Sequence, residues 1–118
     1  MRPVFGLLLA IAWAIPAGAV DPGDEIDALI GALAASGCEF QRNGTWHDAA
    51  RAKAHLQRKY DWLRKRGLAD TPELFIERAA SRSSTSGRDY RVRCPGEQEA
   101  TSAEWFGDRL RQLREAEY

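Results

Sequence analysis

The sequence predicts a small α+β protein of one domain, with a long central helix, shorter helices around it and a two-stranded antiparallel β-ribbon. Apolar residues recur with helical spacing in four segments, whereas two short segments alternate between apolar and polar residues as strands do. Without its predicted leader, the 118-residue chain keeps 99 residues, which suits one domain with a modest core.

The first 19 residues have the pattern of a secretory signal peptide. Arg2 supplies a positive charge, residues 4–15 are apolar, and residues 17–19 (Ala-Gly-Ala) fit a cleavage site of small residues. The apolar stretch is short for a bilayer span, so an uncleaved anchor is the weaker interpretation. We expect cleavage after Ala19, a mature domain of residues 20–118, a periplasmic or secreted location and no stable membrane insertion.

The mature chain is close to neutral. The sequence has 17 basic and 17 acidic residues, and the leader contains one of the basic residues, Arg2. Because nucleic-acid binding needs a basic surplus, this balance argues against a nucleic-acid partner, and equally against attachment to an acidic membrane surface. We expect no cofactor and no metal site, since His47 and His55 lack metal-ligand spacing to the two cysteines.

An amphipathic helix and a short strand open the mature chain. Asp24 is the expected N-cap of the helix and Gly37 its expected end. The apolar face, at positions i, i+3, i+4 and i+7, consists of Ile26, Leu29, Ile30 and Leu33. In the next segment, CEFQRNG, Cys38 and Phe40 alternate with polar residues, which is typical of a half-buried strand.

The long central helix is predicted to begin at Thr45, as N-cap, and to end at Gly67. Its expected core stripe is Ala49, Leu56, Tyr60 and Leu63. On this helix His55 flanks the stripe, and His47 points to solvent. A short helix follows, capped by Thr71; its candidate core residues are Phe75, Ile76, Ala79 and Ala80.

A second strand and a final helix complete the domain. The segment DYRVRC alternates Tyr90, Val92 and Cys94 with arginines, as a strand does. In the last segment, Thr101 and Glu104 match a capping box at a helix start. The apolar row expected on this helix is Phe106, Leu110 and Leu113, with Trp105 beside it.

Cys38 and Cys94 are expected to form a disulfide, because an even number of cysteines in an oxidising compartment is typical of bonded pairs. The bond would close a loop of 56 residues and, in the chain-entropy model, add about 4 kcal/mol to the free energy of unfolding. If the two strands pair antiparallel, Phe40 then faces Val92.

The same register would bring an Arg-Asn-Gly turn beside a serine-rich segment, residues 81–88 (SRSSTSGR), which we call the serine loop. Hydroxyls, arginines and the N–H groups of a helix start are donors that suit an anion. The candidate ligand-binding residues are Arg42, Asn43, Gly44, His55, Ser81, Ser83, Ser84, Ser86 and Arg88. The simpler interpretation is that the serines only hydrogen-bond their own backbone.

No catalytic residue is assigned. We favour an exported binding or interaction module that recognises a small anionic or polar ligand or an envelope partner. A serine hydrolase, in which His55 activates a loop serine, is one alternative, although no Gly-x-Ser-x-Gly elbow is present. A purely structural envelope accessory is another. In the structural interpretation His55 is a satisfied residue beside the core, and we expect it to hydrogen-bond a group of the serine loop.

Three segments resemble the YfeK-like family of small, uncharacterised bacterial secreted proteins. The segments are RNG (42–44), AKAHLQRK (52–59) with His55 and Lys59, and the serine motif of residues 81–90 with Gly87 and Tyr90. The resemblance covers most of the mature chain, roughly residues 29–92. It implies export and a shared surface, and it implies no activity because none is assigned to the family.

Overall fold

The computed structural model describes residues 20–117, which contain four helices and four strands. The helices are α1 (Pro22–Ala35), α2 (Ala49–Arg64), α3 (Pro72–Ala79) and α4 (Ser102–Glu117). The strands are β1 (Glu39–Arg42), β2 (Thr45–His47), β3 (Arg91–Arg93) and β4 (Ala100–Thr101). The predicted signal peptide lies outside the described residues.

The four strands form one antiparallel sheet in the order β2-β1-β3-β4. Phe40 of β1 faces Val92 of β3, which confirms the predicted register. The predicted disulfide between Cys38 and Cys94 is also present, one residue beyond the ends of these strands. The predicted ribbon is thus the centre of the sheet, and the expectation of only two strands was wrong because β2 and β4 extend it on both sides.

Strand β2 occupies the place where the sequence predicted the first turn of the long helix. Asn43 and Gly44 have φ values of 51° and 82°, and a tight type I′ hairpin turn requires positive φ at both central residues. The turn sends the chain back along β1, so Thr45 is a strand residue and not a helix cap. Asp48 caps α2 instead: its carboxylate accepts a hydrogen bond of 2.8 Å from the N–H of Arg51.

The helices pack together, and α2 and α4 also contact the sheet. α1 contacts the other three helices and buries its predicted apolar face, Ile26, Leu29, Ile30 and Leu33. Its N-cap is Asp21 rather than Asp24. α2 and α4 have 16 residues each, so the prediction of a single long central helix was wrong. The α+β class was predicted correctly.

The core positions within the helices mostly follow the predicted pattern. On α2, Ala52 is buried in place of Ala49, which is the first helical residue and remains half-exposed. On α3 and α4, Ile76 and Leu113 are only partly buried. The predicted capping box is present, because the N–H of Thr101 donates to Glu104 Oε1 and the N–H of Glu104 donates to Thr101 Oγ1.

Candidate functional site

The strand register brings the β1–β2 turn and the serine loop to the same end of the sheet, opposite the disulfide. The serine loop leaves α3 and returns into β3 as a closed hairpin. Its two arms are joined by backbone hydrogen bonds from Ser83 N–H to Arg88 O (2.9 Å) and from Tyr90 N–H to Ser81 O (3.0 Å). These bonds hold the loop in one conformation, in which it forms a wall beside the turn.

Asn43 links the turn to the serine loop through both ends of its side chain amide. Its Nδ2 donates to Ser83 Oγ (3.3 Å), and Ser86 Oγ donates to its Oδ1 (2.5 Å). On the other side of the turn, the Arg88 guanidinium lies 3.5 Å from where a Cβ of Gly44 would stand. The predicted meeting of these two segments, about forty residues apart in sequence, is thus present in the structure.

Most of the serine hydroxyls form hydrogen bonds to the loop itself or to the segments beside it. Ser81 Oγ donates to the carbonyl of Ile76 at the end of α3 (2.6 Å). Ser83 Oγ accepts hydrogen bonds from backbone N–H groups of its own loop, as the simpler interpretation of the serine run expects. Ser84 differs from its neighbours. It is exposed, lines a cleft described below, and has no hydrogen bond from its hydroxyl within the described residues.

A polar network connects α2 with β1 and with the residue that precedes β3. His55 Nε2 lies 3.0 Å from Tyr90 Oη, and its Nδ1 lies 3.3 Å from Arg42 Nη1. A guanidinium only donates, so Nδ1 must accept and Nε2 must carry the proton of a neutral imidazole. Lys59 Nζ donates to Tyr90 Oη and to the carbonyl of Arg82, both at 3.1 Å.

This network corrects the role predicted for His55. Its ring contacts Tyr90, which follows the serine loop, and it makes no hydrogen bond to a serine within residues 20–117. The direct bond from α2 to the loop comes from Lys59. Because both ring nitrogens are already engaged, the arrangement provides no serine–histidine pair for nucleophilic catalysis.

The electrostatic environment of the network is positive throughout. Burial, and then the positive charges of Arg42, Lys59 and Arg58, together lower the pKa of His55 to about 4. Burial, and then Arg42, also hold the pKa of Lys59 below its usual value. Burial raises the pKa of Tyr90. No acidic residue contributes to the shift of His55 or of Lys59.

The neutral His55 and the cations around it form what we call the basic face: Arg42, Arg51, His55, Arg58 and Lys59. Among the described residues, none of their side-chain nitrogens lies within 4.0 Å of a carboxylate oxygen, although the backbone N–H of Arg51 donates to the N-cap carboxylate of Asp48. The side-chain ion pairs of the molecule lie elsewhere, for example between Arg93 and Glu39 at the disulfide end of the sheet. Within residues 20–117, the positive charges of the basic face therefore have no acidic partner at ion-pair distance.

Two cavities open on the basic face. The inner cavity, of about 80 Å³, lies between the β1–β2 hairpin and α2. It is lined by Phe40, Arg42, His47, Arg51, Ala52, His55 and Arg58. The outer cleft, of about 390 Å³, runs along α2. It is lined by His55, Arg58, Lys59, Trp62, Leu63, Arg78 and Ser84. His55 and Arg58 line both spaces, so the two adjoin.

The predicted ligand residues divide into three groups. Arg42, His55 and Ser84 line the cavities. Asn43, Ser83 and Ser86 join the turn to the loop, with Gly44 providing the turn and Arg88 lying over it. Ser81 anchors the loop to the end of α3. The helix start predicted beside the turn is not there, because β2 intervenes.

Several cavity residues were missed in the sequence. Arg51, Arg58 and Trp62 lie with His55 at positions i, i+4, i+7 and i+11 of α2, which is one helix face, and this periodicity was visible in the sequence. His47, expected in solvent on a helix, is instead half-buried on β2 and faces the inner cavity. Its position could be found only after the Asn-Gly hairpin was identified.

Comparison with known proteins places the chain among proteins without an assigned activity. Residues 21–114 match the model of a family of unknown function, DUF5329. The chain belongs to this family. The uncharacterised protein YfeK of Salmonella typhimurium (strain LT2) is 36% identical to this chain over 94 residues, which are 76% of this chain and 77% of YfeK. No solved structure matches.

Two further features bear on how this DUF5329 member is organised. Within residues 20–117, no helix is both long and apolar enough to cross a membrane. Over the same described stretch, no three His, Cys, Asp or Glu side chains come together as a group that could hold a metal ion.

Proposed function

We propose that this chain is an exported binding module that holds an anionic ligand on its basic face. The observation that carries the proposal is the convergence of Arg42, Arg51, Arg58 and Lys59 without a carboxylate at ion-pair distance in the described part of the chain. The leader pattern and the disulfide support a periplasmic or secreted location.

An anion would relieve the mutual repulsion of these cations. The lowered pKa values of His55 and Lys59 reflect first the loss of hydration on burial and then that repulsion. Arginine guanidinium groups make paired, charge-assisted hydrogen bonds to carboxylate or phosphate oxygens. Each such bond contributes about 1.5–3 kcal/mol, so a few of them suffice for specific binding of a small anion.

The β1–β2 turn and the serine loop support this site. Asn43 holds the two segments together, and Lys59 ties α2 to the loop through the carbonyl of Arg82. The wall so formed presents Ser84 to the outer cleft. In this proposal Arg42, Arg58 and Lys59 bind the ligand, and the other loop hydroxyls maintain the shape of the wall.

A titration with inorganic phosphate tests the proposal. We expect saturable chemical-shift changes in the NMR spectrum of the mature chain, centred on the His55 and Arg58 signals. Arg58→Ala removes an exposed cation that makes no ion pair within residues 20–116, so it should leave the fold intact. It should weaken phosphate binding about 10-fold or more, the scale of a lost charge-assisted hydrogen bond.

Lys53→Ala is the matched control. Lys53 is an exposed cation of the same helix that lines neither cavity. Phosphate stabilises many proteins non-specifically, and ionic strength must be held constant, so the contrast between the two variants decides the result. Shifts that do not saturate, or an equal loss of affinity in both variants, would show that the basic face is not a binding site.

A further inference from the structure

The two cavities on the basic face differ in the chemistry of their lining residues, although His55 and Arg58 line both. Three arginines, Arg42, Arg51 and Arg58, line the inner cavity, and no acidic residue is among its lining residues. The outer cleft adds an apolar wall, from Trp62 and Leu63. Because His55 and Arg58 line both spaces, one ligand can occupy them together.

The size of the inner cavity limits what enters it. Its volume of about 80 Å³ is much smaller than the volume of about 390 Å³ of the outer cleft, so it suits a compact oxyanion better than an extended organic group. Three guanidinium charges beside a neutral imidazole favour a dianion over a monoanion. A phosphate monoester carries a charge of about −1.5 to −2 near neutral pH, whereas a monocarboxylate carries a single charge.

The outer cleft is suited to the organic part of such a ligand. Its volume of about 390 Å³ lies within the range of about 300–1,000 Å³ typical of small-molecule sites. Trp62 is 54% exposed, the highest value among the exposed large hydrophobic residues described. The Arg66 guanidinium stacks 3.8 Å from its ring centroid and donates to its carbonyl at 2.7 Å, so the indole is held in place before any ligand arrives.

We propose that the ligand of this site is a phosphate monoester, with its phosphate in the inner cavity and an apolar or aromatic body along Trp62 in the outer cleft. The proposal rests on the proposed function, since it specifies which anion the basic face takes. Arg58 stands at the junction and contacts the phosphate, while His55 forms the shared wall between the two parts of the ligand.

Calorimetric titrations with phenyl phosphate, inorganic phosphate and benzoate test this inference. We expect phenyl phosphate to bind about 3- to 10-fold more tightly than inorganic phosphate, the range of an added aromatic contact. Benzoate, with one charge, should bind more weakly than phenyl phosphate. Trp62→Ala should remove the advantage of phenyl phosphate and leave the affinity for inorganic phosphate unchanged. Leu68→Ala, at an exposed apolar residue outside the cleft, should change neither.

The outcomes separate this inference from the proposed function. If inorganic phosphate binds and phenyl phosphate binds no more tightly, the two-part ligand is refuted while anion binding stands. If benzoate matches phenyl phosphate, the assignment of a phosphate is wrong. If Trp62→Ala weakens both phosphates equally, the indole is not the wall for the organic body. If none of the three compounds binds, the proposed function itself fails.

Discussion

His55 shows how single contacts define the chemistry of a residue. The sequence indicated a histidine beside the core, which was correct, and left open whether it acts as a base. The Arg42 guanidinium facing Nδ1 and the Tyr90 hydroxyl facing Nε2 decide the question, because they engage both nitrogens of a neutral ring. A pKa of about 4 means that the ring stays neutral until the solution is clearly acidic.

Stability should therefore fall as the pH falls from about 6.5 towards 4. In this window an unfolded His55 binds a proton while the folded one does not, so protonation favours the unfolded chain. The ring is partly open to solvent, which reduces the effect, and we expect a loss of about 1–2 kcal/mol between pH 7 and pH 5. Urea denaturation at the two pH values measures it.

The variant His55→Gln is the control for this pH dependence. Its amide can still accept from Arg42 and donate to Tyr90, but it does not titrate. The loss of stability between pH 7 and pH 5 should shrink by the same amount in this variant. An identical pH dependence in both proteins would mean that His55 is not the responsible group.

At the scale of elements, the β1–β2 hairpin decided where the sequence prediction succeeded and where it failed. Thr45 followed by an acidic residue in the expected first turn matched a helix start, and this pattern competed with the hairpin signal of Asn43-Gly44. The short strands β2 and β4 have three and two residues, too few to show an alternating pattern. Their existence depends on pairing with β1 and β3, which local sequence does not reveal.

The serine loop was placed correctly because one long-range constraint, the register of β1 and β3, was readable from the cysteines. The basic face was only half predicted. The prediction included its β1 member, Arg42, but not Arg51 and Arg58, which lie outside the apolar stripe of α2 that predicts the core. Which hydroxyl bonds to which group depends on side-chain packing between segments and could not be derived from the sequence.

Two serines of the same loop provide a test of this element. Ser86 Oγ donates to Asn43 Oδ1 and accepts from Arg88 N–H, whereas Ser84 makes no side-chain hydrogen bond within the described residues. Ser86→Ala should lower the free energy of unfolding by about 1 kcal/mol. Ser84→Ala should leave it unchanged, since both serines are exposed and only one is bonded. Equal effects in thermal denaturation would show that Ser86 does not join the turn to the loop.

At the scale of the whole molecule, charge is segregated although the net charge is close to zero. Ion pairs hold the helices together elsewhere: Arg114 of α4 bonds the buried Glu25 of α1 and also Glu73 of α3. Glu25 and Glu73 are thus paired with Arg114, away from the basic face. The prediction from net charge concerned large polyanions, and net charge could not reveal a local cluster of cations.

The disulfide and the basic face lie at opposite ends of the β1–β3 pair, so the two should respond separately to mutation. A double variant, Cys38→Ala with Cys94→Ala, loses a link that closes a loop of 56 residues. In urea denaturation we expect its free energy of unfolding to be lower by about 2–4 kcal/mol, mainly because its unfolded chain has more conformational entropy. The β-ladder and the buried Phe40 and Val92 still hold the register.

The folded double variant should therefore keep the His55 chemical shifts and the phosphate affinity of the parent protein. Thiol counting on the exported parent protein, denatured without reductant, should find no free thiol. Two free thiols, or a double variant as stable as the parent, would show that the bond does not stabilise the fold. A double variant that stays folded but loses phosphate binding would show that the disulfide, and not the strand pairing, positions the basic face.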